Sequence, residues 1–128
     1  MKPYFLNVDL EIQSTSKLDL LKVAMGKRVL VLYHGPGSGS RQLLAIEILR
    51  QHKSPDTAIH ALCKIVESLP PAARRLWNRS HKEFDVGYEL RASEKSSRFS
   101  LRPDTLERIS KLGATLTVTY YRGGHSDT

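Results

Sequence analysis

Apolar and polar residues alternate from Tyr4 to Ile12, with Tyr4, Leu6, Val8, Leu10 and Ile12 on one parity and Asn7, Asp9 and Glu11 on the other. A period of two over such a run predicts a strand with one buried and one wet face. Ser16 with Asp19 three residues on resembles a capping box with Asp in place of Glu or Gln, so a short helix is expected over residues 17–25, closed by Gly26. Residues 29–33 are apolar at every position, as suits a more central strand. His34-Gly35-Pro36-Gly37-Ser38-Gly39-Ser40 breaks that run, and residues 43–49 resume as strand, which predicts a hairpin with a long tip.

Ser54 before Pro55 and Asp56 opens the next helix, and Ile59, Leu62, Val66 and Leu69 then fall at helical spacing as one buried stripe. Pro70-Pro71 ends it, and residues 72–79 form a second short helix. Residues 84–90 alternate again, and a polar stretch over 91–98 leads to Phe99, Ser100 and Leu101. A helix starts near Pro103 with Leu106, Ile109 and Leu112 inward, Glu107 and Lys111 as an outer pair, and Gly113 at its end. Residues 115–121 make the last strand, with Leu116, Val118 and Tyr120 inward. The order β-α-β-β-α-(α)-β-α-β predicts an α+β fold: a single mixed or antiparallel sheet of about five strands with helices on one face. Residues 4–34 and 84–122 share a plan, two β-α-β-like half-units joined by the hairpin strand and the long helix. Residues 1–122 are expected to form one domain, and the polar, aperiodic residues 123–128 a disordered tail.

Composition changes this picture little. A chain of 128 residues buries a core without a metal or disulfide staple, and 40% hydrophobic with 26% charged residues excludes the disordered and fibrous classes. The lone Cys63 cannot form an internal disulfide, which fits a reducing compartment. Asn7 and Asp9 interrupt the first residues before a signal-peptide core could form, and no run approaches the ~20 apolar residues of a membrane span, so a cytoplasmic, unanchored protein is expected. The formal net charge of +7 raises the prospect of nucleic acid, an acidic membrane surface or an acidic protein partner. That charge is spread along the chain, with no basic tail and no polybasic block.

Candidate chemistry is sparse. The Gly35–Ser40 stretch lacks the Lys and the following helix that a phosphate-binding loop requires, so a hairpin tip is the better reading. Cys63 and His60 lie three apart on one helix, but Cys63 borders the apolar stripe while His60 points to the polar face, which makes Cys63 structural. His34, His52, His81 and His125 show no ligand spacing and no second cysteine exists, so neither a metal nor a cofactor is expected. Arg74, Arg75, Arg79 and Lys82 form the densest basic stretch, with Trp77 inside it. Such a cluster can hold phosphates and stack a base; the competing reading packs Leu76 and Trp77 inward and leaves the arginines in water. The clearest pattern is on the sheet face away from the helices, which would carry Asn7, Asp9, Glu11, Glu47, Asp85, Glu89, Thr115, Thr117 and Thr119. Every charged side chain there is acidic, the reverse of a sheet that reads single-stranded nucleic acid. The face reads as a solvated surface, as a dock for a basic protein, or, least, as a carboxylate site for metal or acid–base chemistry.

The run from Phe99 through Arg102-Pro103-Asp104 to Lys111-Leu112-Gly113-Ala114, followed by residues 115–121, resembles the end of a bacterial domain-of-unknown-function family, number 4279. Its members finish with a short strand, a helix ending in Leu-Gly and a strand ending at Tyr, and the resemblance covers roughly residues 55–122. The N-terminal half departs from it: the family's Leu-Gly-x-x-Pro stretch is missing where Met25-Gly26-Lys27-Arg28 runs into strand, and the tryptophan of the following strand is absent. The resemblance implies bacterial origin, an α+β sheet and, for some relatives, a toxin-immunity role; it brings over no functional residue. The expected function is therefore a non-enzymatic protein-interaction domain, of the immunity type, whose acidic sheet face or basic helices block a partner. The alternative is a nucleic-acid-binding module using Arg74, Arg75, Trp77, Arg79 and Lys82, and the minor one a hydrolase with a carboxylate site. An exposed strand edge would allow a second copy to pair.

Overall fold

The computed structural model describes residues 5–90 and 98–122. The first alternating run becomes strand β1 (Phe5–Ser14), with Val8, Leu10 and Ile12 buried and Asp9 and Glu11 only partly so. Helix α1 (Asp19–Met25) starts later than the pattern suggests, from Leu18, without a side-chain cap. The capping box does not form because Ser16 N–H donates to the Ser14 hydroxyl at 3.0 Å, a local turn that competes with helix initiation. A short 3-10 turn, Gly26–Arg28, leads into β2 (Val29–Pro36).

β2 runs on through His34, Gly35 and Pro36, so much of the expected long tip is strand. β2 is not the more central strand its apolar run suggests but an edge strand, its outward Leu30, Leu32 and Tyr33 nearly half exposed. Pro36 is tolerated there because a missing N–H breaks no second ladder. Gly37 N–H donates to Arg41 C=O at 2.8 Å and Arg41 N–H to Ser38 C=O at 3.1 Å, closing a compact turn into β3 (Gln42–Ile48). Helix α2 (Pro55–Glu67) begins as read: the Ser54 hydroxyl accepts Thr57 N–H at 3.2 Å and Pro55 takes the first turn. Its Ile59, Leu62 and Val66 are fully buried, each contributing roughly 1.5–3 kcal/mol.

Helix α3 (Pro71–Asn78), strand β4 (His81–Leu90), helix α4 (Pro103–Lys111) and strand β5 (Thr115–Arg122) complete the chain. Three inward assignments change. Leu6 is 47% exposed, at the register irregularity between Phe5 and Asn7 in β1. Leu106 is 48% exposed, and Thr105 takes its place beside Ile109 and Leu112 on the inner stripe of α4. Tyr120 is 54% exposed because β5 is the other edge strand; it packs edge-to-face on Tyr88, with ring centroids 6.0 Å apart, and keeps its other side in water.

The result is an α+β fold built on one mixed sheet in the order β2-β3-β1-β4-β5. β1 is antiparallel to β3 and β4, β2 to β3, and β4 runs parallel to β5. Both half-units are therefore parallel β-α-β units, but β3 lies between the strands of the first. The core sits between the helices and one sheet face, where Leu10, Ile12, Ile46 and Phe84 meet Leu62 and Trp77. Among the described residues no helix is long and apolar enough to cross a membrane. Residues 91–97 and the expected tail 123–128 lie outside the described residues.

Candidate functional site

Strand alternation places the polar parity of β1, β3, β4 and β5 on the sheet face that the helices leave open. Pairing register then aligns the carboxylates. Asp9 stands opposite Glu47 on one side and Asp85 on the other, and Glu11 stands opposite Glu83 in the next row. Like charges directly across strands repel. Their effect is seen at Asp9, whose carboxyl is pushed up to about 6, first by desolvation and then by Glu47, Glu11 and Asp85. Glu11 is raised as well, by desolvation and then by Glu83 and Asp85.

Neutral donors relieve part of this repulsion. The Asn7 amide donates to Asp9 Oδ1 at 3.2 Å and to Glu47 Oε2 at 3.0 Å, and the Thr119 hydroxyl donates to Asp85 Oδ1 at 2.7 Å. Gly87 makes room for the Asn7 side chain beside β4, since a Cβ there would lie 2.8 Å from Asn7 Oδ1. Thr117 stands next to Asp85 in the parallel ladder, and Glu89 stands opposite Tyr121 at the far end of the face. No ion pair among the described residues reaches Asp9, Glu11, Glu47, Glu83 or Asp85. No Lys or Arg occupies an outward strand position in these registers either.

Both flanks of the carboxylate rows carry large side chains. On β2, Leu30 stands opposite Glu47 and Tyr33 opposite Ala45, and both are nearly half exposed. On β5, Tyr121 is half exposed at the other margin. An acidic centre between apolar and aromatic margins can hold ammonium or guanidinium groups while the margins exclude water. Among the described residues no group of three His, Cys, Asp or Glu side chains is arranged to hold a metal ion.

The basic stretch divides. Arg75 and Arg79 are exposed and Arg74 is partly buried. Trp77 is fully buried, its Nε1–H donating to the Leu112 carbonyl at 2.9 Å, so it cannot stack on a base. Lys82 is 6% exposed: its Nζ donates to the carbonyls of Asn78 at 3.3 Å and Ser80 at 3.1 Å and lies over the Trp77 ring. There it satisfies carbonyls at the C-terminal end of α3, where a cation complements the helix dipole. Desolvation and then the Arg74 charge lower its pKa. Burial therefore withdraws Trp77 and Lys82 from any nucleic-acid contact surface.

His60 turns away from Cys63 and meets Asp104 Oδ2 at 3.2 Å. The Cys63 thiol, fully buried, is pushed up to about 12, chiefly by desolvation and by Glu67, which makes it inert as a nucleophile. Glu83 and His81 fall on the open face by strand parity, but the alternation read over residues 84–90 does not place them there. Lys82 at an inward position masked the alternation and delayed the expected start of the strand. The outward repeat Glu83, Asp85, Gly87 was the signal that could have extended it.

No family model, curated protein or solved structure matches this chain.

Proposed function

We propose that this chain is a non-enzymatic interaction protein whose open sheet face docks a basic protein partner. The carrying observation is the aligned group Glu47, Asp9, Asp85, Glu11 and Glu83, which meets no cation among the described residues on a face the helices leave uncovered. A partner presenting Lys or Arg side chains would relieve that repulsion, and Leu30, Tyr33 and Tyr121 would bury apolar area around the charged centre. A partner neutralised by being covered is the immunity-type role that the family resemblance implies. The nucleic-acid alternative keeps only Arg74, Arg75 and Arg79, without an aromatic to stack on.

Photo-crosslinking from two positions tests the reading. A photoreactive residue replacing Thr115, exposed opposite Glu83, is expected to give a protein adduct of one defined mass in native cells. The same residue replacing Arg75 on α3 is expected to give none. Adducts confined to the Arg75 position and removed by nuclease would overturn the proposal in favour of nucleic acid.

A further inference from the structure

On the helical side of the molecule, behind the acidic face, α2 and α4 start side by side. The Asp56 carboxylate in the first turn of α2 accepts Arg102 N–H at 2.8 Å, His60 meets Asp104 at 3.2 Å, and Glu67 meets Arg108 at 2.6 Å. This sequence of contacts makes the two helices parallel, so their N-terminal ends, each with a partial positive charge, lie together. Between them is a recess of about 570 Å³, lined by Asp56, His60, Ala61, Lys64, Arg102 and Thr105 among others. Its volume falls in the range of small-molecule sites.

Four features converge there. α4 has no side-chain cap, so the amides of Asp104 and Thr105 have no acceptor within the helix. Thr105 is 1% exposed, and its hydroxyl has no hydrogen-bond partner among the described residues, a state that buried polar groups rarely occupy. The acids of the recess are already engaged, Asp56 by the Arg102 amide and Asp104 by His60 and Arg108. Desolvation works against the Asp104 charge, but Arg108 and then His60 outweigh it and hold that carboxyl below its ordinary range. The side chains of Lys64 and Arg102, by contrast, meet no acceptor among the described residues.

We propose that this recess binds a small phosphate monoester. The Thr105 hydroxyl and the first-turn amides of α4 hold the phosphate oxygens, and the Lys64 and Arg102 side chains close over it. So many donors suit the three terminal oxygens of a phosphate better than the two of a carboxylate. The remaining volume takes the organic body of the ligand. This site is separate from the docking face and stands or falls without it.

The test is an amide-resolved NMR titration of the whole chain with phenyl phosphate, with benzoate as the carboxylate control, at constant ionic strength. Saturable shifts at Asp104, Thr105 and Ala61 are expected with phenyl phosphate, and binding of benzoate about tenfold weaker. Thr105→Val keeps the shape and removes the hydroxyl, and is expected to weaken phenyl phosphate about tenfold. Lys64→Ala, at an exposed position that cannot impair folding through the core, is expected to weaken it severalfold, while Arg75→Ala leaves it unchanged. The proposal is overturned if shifts do not saturate, if they centre on Arg75 and Arg79, or if both Thr105→Val and Lys64→Ala bind as the parent does.

Discussion

Asp9 carries the sharpest electrostatic conflict on the sheet, lying between Glu47 and Asp85 in one row with Glu11 beside it. Its pKa is raised from 3.8 to about 6, so the folded chain holds this proton more tightly than the unfolded chain does. Stability is therefore lost as pH rises through that window, and the ionised carboxylate opposes folding above it. Asp9→Asn keeps an oxygen for the Asn7 amide and cannot ionise. It is expected to stabilise the fold by about 1 kcal/mol near neutral pH, a value reduced for solvent screening, and by nothing once the pH falls well below the unfolded-state pKa. Denaturant unfolding of both proteins at the two pH values checks this; an equal difference at both would show that charge is not the cause. The acidic character of Asp9, Glu11, Glu47 and Asp85 was legible from alternation alone. The burial of Lys82 was not, because a lysine reads as solvated until the carbonyls it caps are known.

At the scale of elements, the helix starts and stops were readable where the local chemistry acts on its own backbone. Ser54 and Pro55 begin α2 as their residue types dictate. Gly113 ends α4 at a φ of 71°, with Gly113 N–H donating to Ser110 C=O at 3.0 Å and Ala114 N–H to Ile109 C=O at 3.1 Å, the paired bonds of a Schellman motif. A side chain at this left-handed position is strained, although its Cβ would meet the Lys82 ammonium only at an ordinary contact distance of 3.4 Å. Gly113→Ala is expected to cost about 1–2 kcal/mol, read as a lowered thermal midpoint with unchanged helix content below it. A midpoint equal to the parent's would remove the left-handed cap from the account. Elements were misjudged where tertiary context decides. Pro36 signals a break, yet an edge strand accommodates it, and Leu106 looks inward while the position of α4 gives that place to Thr105. The recess between α2 and α4 had no sequence signal, since its walls join residues from two helix starts more than forty positions apart.

The whole molecule is polarised. Its net charge is +7, yet the open sheet face is acidic, so among the described residues Lys and Arg lie away from that face, on helices, turns and strand ends. Such a dipole orients an approaching partner and makes association sensitive to salt. Topology was readable as far as element order and the side on which the helices pack. The insertion of β3 between β1 and β2 was not, because strand order depends on non-local pairing that alternation does not encode.

The most direct test of the docking claim compares what the parent chain and a variant carrying Asp9→Asn, Glu11→Gln and Asp85→Asn retain from nuclease-treated native lysate. One stoichiometric basic protein is expected on the parent, released by raised salt and absent from the variant, with both chains folded by circular dichroism. Equal retention of that protein by both chains, or retention by the parent of nucleic acid alone when nuclease is omitted, would contradict the docking claim.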